Sequence, residues 1–444
     1  MNGQTLHLGI AGLGTVGAGV VRLLRENAQA ITARAGRAIE VVAVSARDRT
    51  RDRGVDLEGL TWHDDPLALV SDPQVDVVLE LIGGAEGTAR GLVEAALKAR
   101  KPVVTANKAL LAIHGAELSA HARENATPLL FEASVAGGIP AIKLVREGLA
   151  ADRLLKVGGI LNGTCNYILT AMRESGRSFD AILNEAQALG YAEADPSTDV
   201  DGWDAAHKLA ILAGLAFGQP VRFDSLHVEG IRNIAACDQA FAREMGYRIK
   251  LLGLARRTEE DGIEAWMRPC MIPHSAPIAN VDGVFNAVST EGSFSGPMLI
   301  EGRGAGAGPT ASAVVADVID LARGTTLPVW GMAPKAAISC APRTALRGQY
   351  YLRLLVQDRP GVVADITAAL RESGVSLRAL SQHGAEPAAS EDSTSPAQAA
   401  SHSVVPLALV THETSEAAML SVLEALEPLE SVMGAPLLMK IETV

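Results

Sequence analysis

The sequence predicts an α/β protein in which a doubly wound sheet comes first, an α+β domain follows, and a smaller α/β domain ends the chain. Composition favours this class, because 48% of the 444 residues are hydrophobic but only 4% are aromatic, so Ala, Val, Leu and Ile must build the core. Strand and helix patterns alternate through the first 150 residues. The run VDVVLELI at 75–82 is mostly apolar, as is typical of a parallel strand covered on both faces.

The first predicted strand, Leu6 to Ile10, leads into the glycine-rich turn GLGTVG at 12–17 and then into a helix from Val16 to about Ala35. This order is typical of a Rossmann-type domain, because the glycines allow a tight turn and let the backbone approach a pyrophosphate closely. The turn therefore predicts a dinucleotide site that uses Gly12, Gly14, Thr15, Val16 and Gly17.

The second predicted strand, Ile39 to Val44, bears on the choice of dinucleotide. It ends in Ser45-Ala46-Arg47, where a fold specific for NAD usually places a carboxylate for the ribose 2′-hydroxyl. Arg47 can instead meet a 2′-phosphate, so the sequence favours NADP and leaves NAD open. A solvated surface charge is the alternative interpretation of Arg47.

Two later strand ends carry polar residues, and ligands of such sheets lie outside the carboxyl ends of the strands. The first is Thr105-Ala106-Asn107-Lys108, whose lysine could assist proton transfer or be an exposed lysine at a helix start. At the second, Glu132 precedes the loop SVAGGIP at 134–140, whose free carbonyls suit a hard cation; a plain strand-to-helix turn is the alternative. The other elements predicted here are strands at 102–105 and 129–133 and helices at 88–100 and 109–125.

The pattern changes near residue 151, and residues 151–303 are predicted to form the α+β substrate and dimerisation domain. A strand enters a helix through Asn162-Gly163-Thr164, and Ser178 caps a second helix. The glycine-rich loop at 301–310 then opens a helix at 311–322. Free amides near Gly306 could close over a ligand, so 304–323 would complete the first domain, 1–150; a flexible hinge is the alternative.

The rest of the chain divides into a linker and a small domain. Residues 324–348 lose periodicity and gather Pro and Gly, which predicts a linker. Residues 349–444 show strand and helix patterns around a DRPG turn at 358–361. Within them, residues 385–403 are rich in Ser, Ala and Pro and cannot bury a core, which predicts a disordered insert.

Charge and targeting signals exclude several classes of protein. The net charge of −12, with no block of Lys and Arg, argues against a nucleic-acid partner. No apolar run reaches the roughly 18 residues of a membrane span, and the N-terminus lacks a signal-peptide pattern. The four cysteines include no CxxC pair. The sequence therefore predicts a cytoplasmic protein with free thiols.

Six charged residues, five of them acidic, lie within the window 186–208, AQALGYAEADPSTDVDGWDAAHK. A helix predicted at 199–217 would place Asp201, Asp204 and Lys208 on one face, while Glu193 and Asp199 approach from the preceding loop. Such a cluster can hold a substrate ammonium and present a lysine to a carbonyl oxygen. A solvated helix start with an acidic first turn is the alternative interpretation.

This window resembles the signature of the homoserine dehydrogenase family. The matching positions are Ala186, Gly190-Tyr191-Ala192, Asp195-Pro196, Asp199-Val200, Gly202, Asp204 and Lys208. The resemblance extends to the segments GLGTVG, TANK, FEASVAGGIP and GILNGT. The C-terminal domain resembles a ferredoxin-like ACT module with DRPG as its ligand loop.

The resemblance implies reversible, NAD(P)H-dependent reduction of L-aspartate 4-semialdehyde to L-homoserine, within threonine, methionine and isoleucine biosynthesis. Lys208 would be the main catalytic residue, and Lys108 would help to polarise or protonate the carbonyl oxygen. Glu193, Asp199 and Asp204 would bind the substrate's amino group or orient Lys208. A monofunctional enzyme is implied, because no kinase pattern precedes these segments.

The family also implies further ligands and an assembly. Additional cofactor contacts would come from Thr105, Lys108 and Gly306. A monovalent cation, Na⁺ or K⁺, would be held largely through backbone carbonyls by Glu132, Val135, Gly137 and Ile139. L-Threonine would inhibit through the ACT domain, and the chain would form a homodimer or homotetramer.

Two other functions fit parts of the sequence. A semialdehyde dehydrogenase could form a thioacyl intermediate at Cys165, although no histidine lies near it in sequence to act as a base. A regulatory sensor could join a nucleotide fold to an amino-acid-binding module. The thioacyl alternative leaves the acidic window unexplained.

Overall fold

A computed structural model describes residues 4–258, 262–332, 336–382 and 403–443. Its first sheet, sheet A, is parallel throughout and has the strand order β3-β2-β1-β4-β5-β6. Its strands are β1 (Leu6–Ala11), β2 (Ile39–Ser45), β3 (Thr61–His63), β4 (Val77–Glu80), β5 (Val103–Thr105) and β6 (Leu129–Leu130). The helices of this region are α1 (Thr15–Glu26), α2 (Ala28–Ala35), α3 (Ala68–Ser71), α4 (Thr88–Lys98), α5 (Lys108–Glu124) and α6 (Ala141–Lys143).

Sheet A has an apolar core on each face. Along β1, Leu8 and Ile10 join the core shared with α1 and α2, while Ala11 joins the core shared with α4 and α5. Successive strand residues point to opposite faces, so a strand covered on both sides must be apolar at nearly every position. The predicted doubly wound α/β domain is confirmed.

The second sheet, sheet B, is mixed. Its strands are β7 (Leu154–Ile160), β8 (His227–Val228), β9 (Tyr247–Arg257), β10 (Ile263–Pro273), β11 (Phe285–Gly292), β12 (Gly296–Arg303), β13 (Arg347–Gln357), β14 (Leu377–Gln382), β15 (Val404–Thr411), β16 (Thr414–Ser415) and β17 (Val432–Ile441). Their main order is β12-β11-β7-β9-β10-β17-β13-β15-β14. The helices beside it are α7 (Gly163–Ser175), α8 (Phe179–Ala188), α9 (Ser197–Val200), α10 (Trp203–Phe217), α11 (Ala236–Glu244), α12 (Ala307–Arg323), α13 (Val362–Glu372) and α14 (Glu416–Leu426).

The C-terminal part of sheet B has the arrangement of a ferredoxin-like domain. β13, β14, β15 and β17 form an antiparallel sheet in the order β17-β13-β15-β14, and α13 and α14 connect its strands. Strand β17 also pairs in parallel with β10, with Cys270 opposite Lys440. The two predicted domains therefore share one sheet.

Helix α12 returns to the first domain after the chain has passed through β12. Its residues Ala311, Val314 and Val318 are buried in the core that also holds α1. A Cβ atom at Gly19 of α1 would lie 2.9 Å from the carbonyl oxygen of Ala307, so the glycine allows the two helices to pack closely. This packing brings the loop before α12 to the glycine turn before α1.

Two predicted helices differ in the structure. The helix expected from Val16 to Ala35 is two helices, which meet at Asn27, a poor helix former. The helix expected at 199–217 is interrupted at Gly202, whose φ is +88°, and α10 begins only after it. Asp201 is therefore not on the face of Asp204 and Lys208, and instead pairs with Arg232.

The segment predicted as a linker, 324–348, packs against the body of the protein where it is described. Trp330 is buried, and Cβ atoms at Gly115 and Gly214 would lie 2.7 and 3.0 Å from its ring. The glycines thus make room for the indole between α5 and α10. The predicted insert at 385–403 lies outside the described residues, apart from Ser403.

Candidate active site

A cleft of about 610 Å³ lies where the carboxyl ends of β1 and β5 face the domain formed by residues 151–303. Both domains contribute to its wall, as expected for a ligand site at such a boundary. The residues that line it include Thr15, Val16, Lys108, Gly137, Asn162, Gly163, Thr164, Asp199, Asp204, Lys208, Asn286, Arg303, Gly304 and Gly306.

Asp204 joins the two predicted catalytic lysines. Its Oδ2 accepts a hydrogen bond from Lys208 Nζ at 2.6 Å, and its Oδ1 lies 2.9 Å from Lys108 Nζ. Burial acts to raise the pKa of this carboxyl, but the ammonium groups of Lys208 and Lys108 outweigh it and hold the pKa well below its usual range. In return, Asp204 raises the pKa of Lys108 more than burial lowers it. The charge of Lys108 is therefore stabilised by Asp204.

The position of Lys108 is fixed by a network at the end of β5. Asn107 caps α5, since its Oδ1 accepts from the amide of Leu110 at 3.1 Å. The hydroxyl of Thr105 accepts from the amide of Asn107 and donates to the buried carboxylate of Glu80 at 2.6 Å. The side chain of Thr105 thus holds the turn that leads into Lys108, the first residue of α5.

Asn162 organises the opposite wall. Its Nδ2 donates to Asp199 at 2.7 Å and to Asp204 at 3.0 Å, while its Oδ1 accepts from the amide of Cys165 and caps α7. Burial, and then the nearby charge of Asp204, raises the pKa of the Asp199 carboxyl. One amide side chain therefore joins two carboxylates and a helix start.

Glu193 lies at the rim. It is exposed, and its carbonyl oxygen accepts from Gln187 Nε2 at 3.0 Å, which ties the loop to α8. Its charge contributes to raising the pKa of Lys108, after the larger effect of Asp204. The acidic window is therefore split between a buried cluster around Asp204 and an exposed rim at Glu193.

The glycine turn has the shape of a dinucleotide site. Gly12 has a φ of +102°, and a Cβ atom there would lie 2.4 Å from the carbonyl oxygen of Leu81. A Cβ atom at Gly17 would lie 2.1 Å from the carbonyl oxygen of Gly12, whereas Gly14 has open space around it. The amides at the start of α1 thus face an unobstructed space suited to a pyrophosphate.

Gly306 lines this cleft, whereas Arg47 does not. Arg47 is exposed just beyond β2 and is not part of the cleft wall. Gly306 has a φ of +119°, precedes α12, and lines the cleft together with Thr310. The N-termini of α1 and α12 therefore both border the cleft.

The proposed cation ligands lie between β6 and α6. Glu132 is buried, and its carboxylate accepts from the amides of Ile142 and Lys143 at 3.0 and 2.9 Å. Burial, and then the charge of Asp317, raises the pKa of Glu132 to about 7. No group of three or more His, Cys, Asp or Glu side chains in the described part of the chain could hold a metal, so a cation here would depend on carbonyls such as those of Val135, Gly137 and Ile139.

Cys165 is unsuited to nucleophilic catalysis. It is fully buried at the start of α7, and its thiol donates to the carbonyl oxygen of Asp199 at 3.1 Å. Burial and the nearby carboxylates, Asp199 first, raise its pKa well above the usual value. A reactive cysteine needs the opposite shift. The alternative of a thioacyl intermediate is therefore disfavoured.

Comparisons with known proteins agree along the whole chain. The family model described as homoserine dehydrogenase matches residues 140–319, that of its NAD binding domain matches 12–132, and that of the ACT domain matches 350–430. The chain is 45% identical, over 447 aligned residues, to a homoserine dehydrogenase of Pseudomonas aeruginosa, and the match covers 99% of each protein. The chain belongs to the homoserine dehydrogenase family.

Solved homoserine dehydrogenases have the same fold. The structure of one from Thiobacillus denitrificans is 44% identical, with a TM-score of 0.89 over 99% of both chains. A hyperthermophilic archaeal homoserine dehydrogenase in complex with NADPH is 25% identical, with a TM-score of 0.62 over 73% of this chain and 99% of its own. The predicted oxidoreductase class and NAD(P)-binding domain are confirmed, and the sensor alternative is not supported.

Sequence reasoning missed three polar residues of this homoserine dehydrogenase site. Glu80 is a carboxylate at the end of a mostly apolar strand, a pattern that could have predicted it. Asn162 lies at a helix start, where an asparagine predicts an N-cap. Asn286 had no local signal, because β11 reaches the cleft only through its pairing with β7. In the described part of the chain, no helix is both long and apolar enough to cross a bilayer.

Proposed function

We propose that the protein catalyses the reversible reduction of L-aspartate 4-semialdehyde to L-homoserine, with NADP as the preferred cofactor, in the cytoplasmic synthesis of threonine, methionine and isoleucine. The observation that carries the proposal is the pair of ammonium groups, Lys108 and Lys208, on one buried carboxylate of the cleft. NADP is supported by Arg47, which is exposed after β2 and makes no ion pair with any described residue.

The two lysines suit a reaction in which negative charge develops on a carbonyl oxygen. When bound, the reduced nicotinamide supplies a hydride to the aldehyde carbon. Lys208 Nζ donates hydrogen bonds to the carbonyl oxygen of Leu161 and to Asp204, and these two acceptors fix its orientation. Lys208 would donate the proton to the alkoxide oxygen. Lys108 would stabilise the same oxygen, because Asp204 favours its charged form. In the oxidation direction, a neutral lysine would take the proton back.

The carboxylates beside the lysines would select an amino acid substrate. Asp199 lines the cleft, and Glu193 stands at its rim, so their charges could hold the substrate's ammonium group. Asp204 is occupied by both lysines and would act chiefly by orienting Lys208. This division leaves the aldehyde end of the substrate near the lysines.

A monovalent cation is proposed at Glu132, Val135, Gly137 and Ile139. Lys143 pairs with Asp317 and Asp320, and Arg323 pairs with Asp320, so these two cations are fewer than the three carboxylates of Glu132, Asp317 and Asp320. The Oδ1 atom of Asp317 is buried with no hydrogen-bond partner among the described residues. This excess of negative charge fits an additional cation, which would support the loop that lines the cleft at Gly137.

The ACT domain supports a proposed response to L-threonine. Such a module binds small molecules, and this one is continuous with the sheet of the substrate domain. The proposal that the chain forms a homodimer or homotetramer rests on its similarity to the family.

The catalytic assignment is tested with Lys208→Ala. We expect kcat for NADP-dependent homoserine oxidation to fall by about 10³-fold, because the proton donor and its charge are lost. The Kd for NADPH, measured by calorimetry, should change less than threefold. Lys98→Ala, on the exposed surface of α4, is the matched control and should behave as the unaltered enzyme. Near-normal turnover of Lys208→Ala would remove Lys208 from the mechanism.

A further inference from the structure

Asn286 is a buried amide that the mechanism above does not use. It lies near the start of β11 and is only 1% exposed. Neither its Nδ2 nor its Oδ1 has a hydrogen-bond partner among the described residues. Leaving both a buried donor and a buried acceptor unpaired costs free energy, so such a group is expected to find a partner in the working protein.

The surroundings of Asn286 place that partner in the cleft. Asn286 lines the cleft together with Gly304, and a Cβ atom at Gly304 would lie 2.1 Å from both Cγ and Nδ2 of Asn286. A Cβ atom at Gly163 would lie 3.5 Å from its Oδ1. Any larger residue at 304 would displace the amide, so the backbone leaves room for this side chain between the loop before α12 and the start of α7.

The chemistry of the amide narrows the choice of partner. A carboxylate or an aldehyde oxygen offers only acceptors, and an ammonium offers only donors, so each would satisfy one half of Asn286. A carboxamide offers a donor and an acceptor side by side and can satisfy both atoms at once. The carboxamide of the nicotinamide ring is a group of this kind in the proposed reaction.

We propose that Asn286 binds the nicotinamide carboxamide through two paired hydrogen bonds and so fixes which face of the ring is turned to the substrate; this inference rests on the proposed function. The ring must reach the carbonyl carbon whose oxygen is bound by Lys108 and Lys208, and it belongs to a cofactor held at the turn that carries Thr15 and Val16. All four residues and Asn286 line the same cleft. The amide of Asn286 therefore borders the cleft that the reacting ring has to enter.

The proposal is tested by pairing a change in the protein with a change in the cofactor. Asn286→Ala is compared with the unaltered enzyme in calorimetric titrations with NADPH and with its 3-acetylpyridine analogue, in which a methyl group replaces the amide nitrogen. The unaltered enzyme should bind NADPH about tenfold more tightly than the analogue, which is the effect of losing one paired hydrogen bond. In Asn286→Ala, the two Kd values should agree within about twofold.

Thr290→Val provides the matched control. Thr290 lies on the same strand, and its hydroxyl is also buried without a partner among the described residues, but it does not line the cleft. This variant should keep the tenfold preference for NADPH. The Tm of each variant without cofactor should equal or exceed that of the unaltered enzyme, because each change removes an unpaired buried polar group.

Three results would overturn the inference. The first is a preference for NADPH in Asn286→Ala equal to that of the unaltered enzyme. The second is a rise in the KM for homoserine with an unchanged ratio of the two cofactor Kd values, which would assign Asn286 to the substrate. The third is a Tm of Asn286→Ala far below the Tm of Thr290→Val, which would indicate that Asn286 has a structural role. If the unaltered enzyme binds NADPH but does not oxidise homoserine, the proposed function fails, while the comparison of Kd values still decides the contact.

Discussion

At the scale of single residues, Asp204 determines the charge of the site. Its burial would favour the neutral acid, and only the two ammonium groups keep it ionised. The dependence runs both ways, because Asp204 is the largest influence that raises the pKa of Lys108. Removal of this one negative charge would leave two lysines close together with no carboxylate between them.

Asp204→Asn is expected to move the pH dependence of the reaction. Without the carboxylate, the pKa of Lys108 falls, so its ammonium is lost at a lower pH. We expect kcat/KM for aldehyde reduction to fall about 10²-fold and its alkaline limb to shift to lower pH. Asp201→Asn makes the same charge change at a residue that pairs with Arg232 and should leave the profile unchanged. An unshifted alkaline limb in Asp204→Asn would contradict this account.

Asn162 is expected to act as a positioning residue. Asn162→Ala removes its bonds to Asp199 and Asp204 and also the cap of α7, so kcat/KM should fall at least tenfold and stability by about 1 kcal/mol. Asn162→Ser restores the cap but cannot reach both carboxylates. It should therefore recover stability, measured by denaturant unfolding, without recovering kcat/KM. Recovery of both would indicate that Asn162 only caps the helix.

At the scale of elements, the sequence predicted most strands and helices but missed one break that shapes the site. Hydrophobic periodicity placed β1, β2 and α5 within one or two residues of their observed bounds. It could not predict the interruption at Gly202, because that depends on the chain packing beside it. A Cβ atom at Gly230 would lie 2.2 Å from the carbonyl oxygen of Val200, and the amide of Ile231 donates to that oxygen at 2.8 Å.

The same limit applies to the cleft itself. The family signature supplied Asp204 and Lys208, the TANK segment supplied Lys108, and the structure brings these three together. The partners that hold them come from distant strands, and Asn286 approaches only when β11 pairs with β7. Local patterns indicate which residues have useful chemistry, whereas sheet pairing determines which of them meet.

The turn between β6 and α6 is expected to respond to monovalent cations. If a cation offsets the excess of carboxylates near Glu132, replacing K⁺ and Na⁺ by tetramethylammonium at constant ionic strength should lower kcat about tenfold, because that ion is too large for a carbonyl site. Glu132→Gln should show no such difference. Glu147→Gln, which removes the charge of an exposed carboxylate that pairs with the buried Arg146, should retain it. Equal rates of the unaltered enzyme in all three salts would rule out a functional cation.

At the scale of the whole molecule, the C-terminal domain shares one sheet with the strands of residues 151–303. Besides the pairing of β10 with β17, Arg268 of β10 forms an ion pair with Glu416 of α14 at 2.8 Å, and both side chains are fully buried. Arg268 also lies 3.2 Å from Glu229, which immediately precedes Gly230. This series of contacts runs from the ACT domain to the loop beside Val200 and Asp199. A truncation at residue 349 would expose β10 and is therefore a poor test of regulation.

Glu416→Gln tests regulation within the complete chain. Loss of the buried charge should destabilise the protein by about 3 kcal/mol and loosen the contact between α14 and β10. We expect inhibition by L-threonine to weaken at least fivefold, because an effect that passes between two sites is only as strong as the free energy that couples them. Glu424→Gln, on the exposed side of α14, should keep the inhibition constant of the unaltered enzyme.

Hydrogen exchange of β10 and β17 should accelerate together in Glu416→Gln, since the two strands pair within one sheet. Faster exchange with undiminished inhibition would show that the response to threonine does not pass through this ion pair.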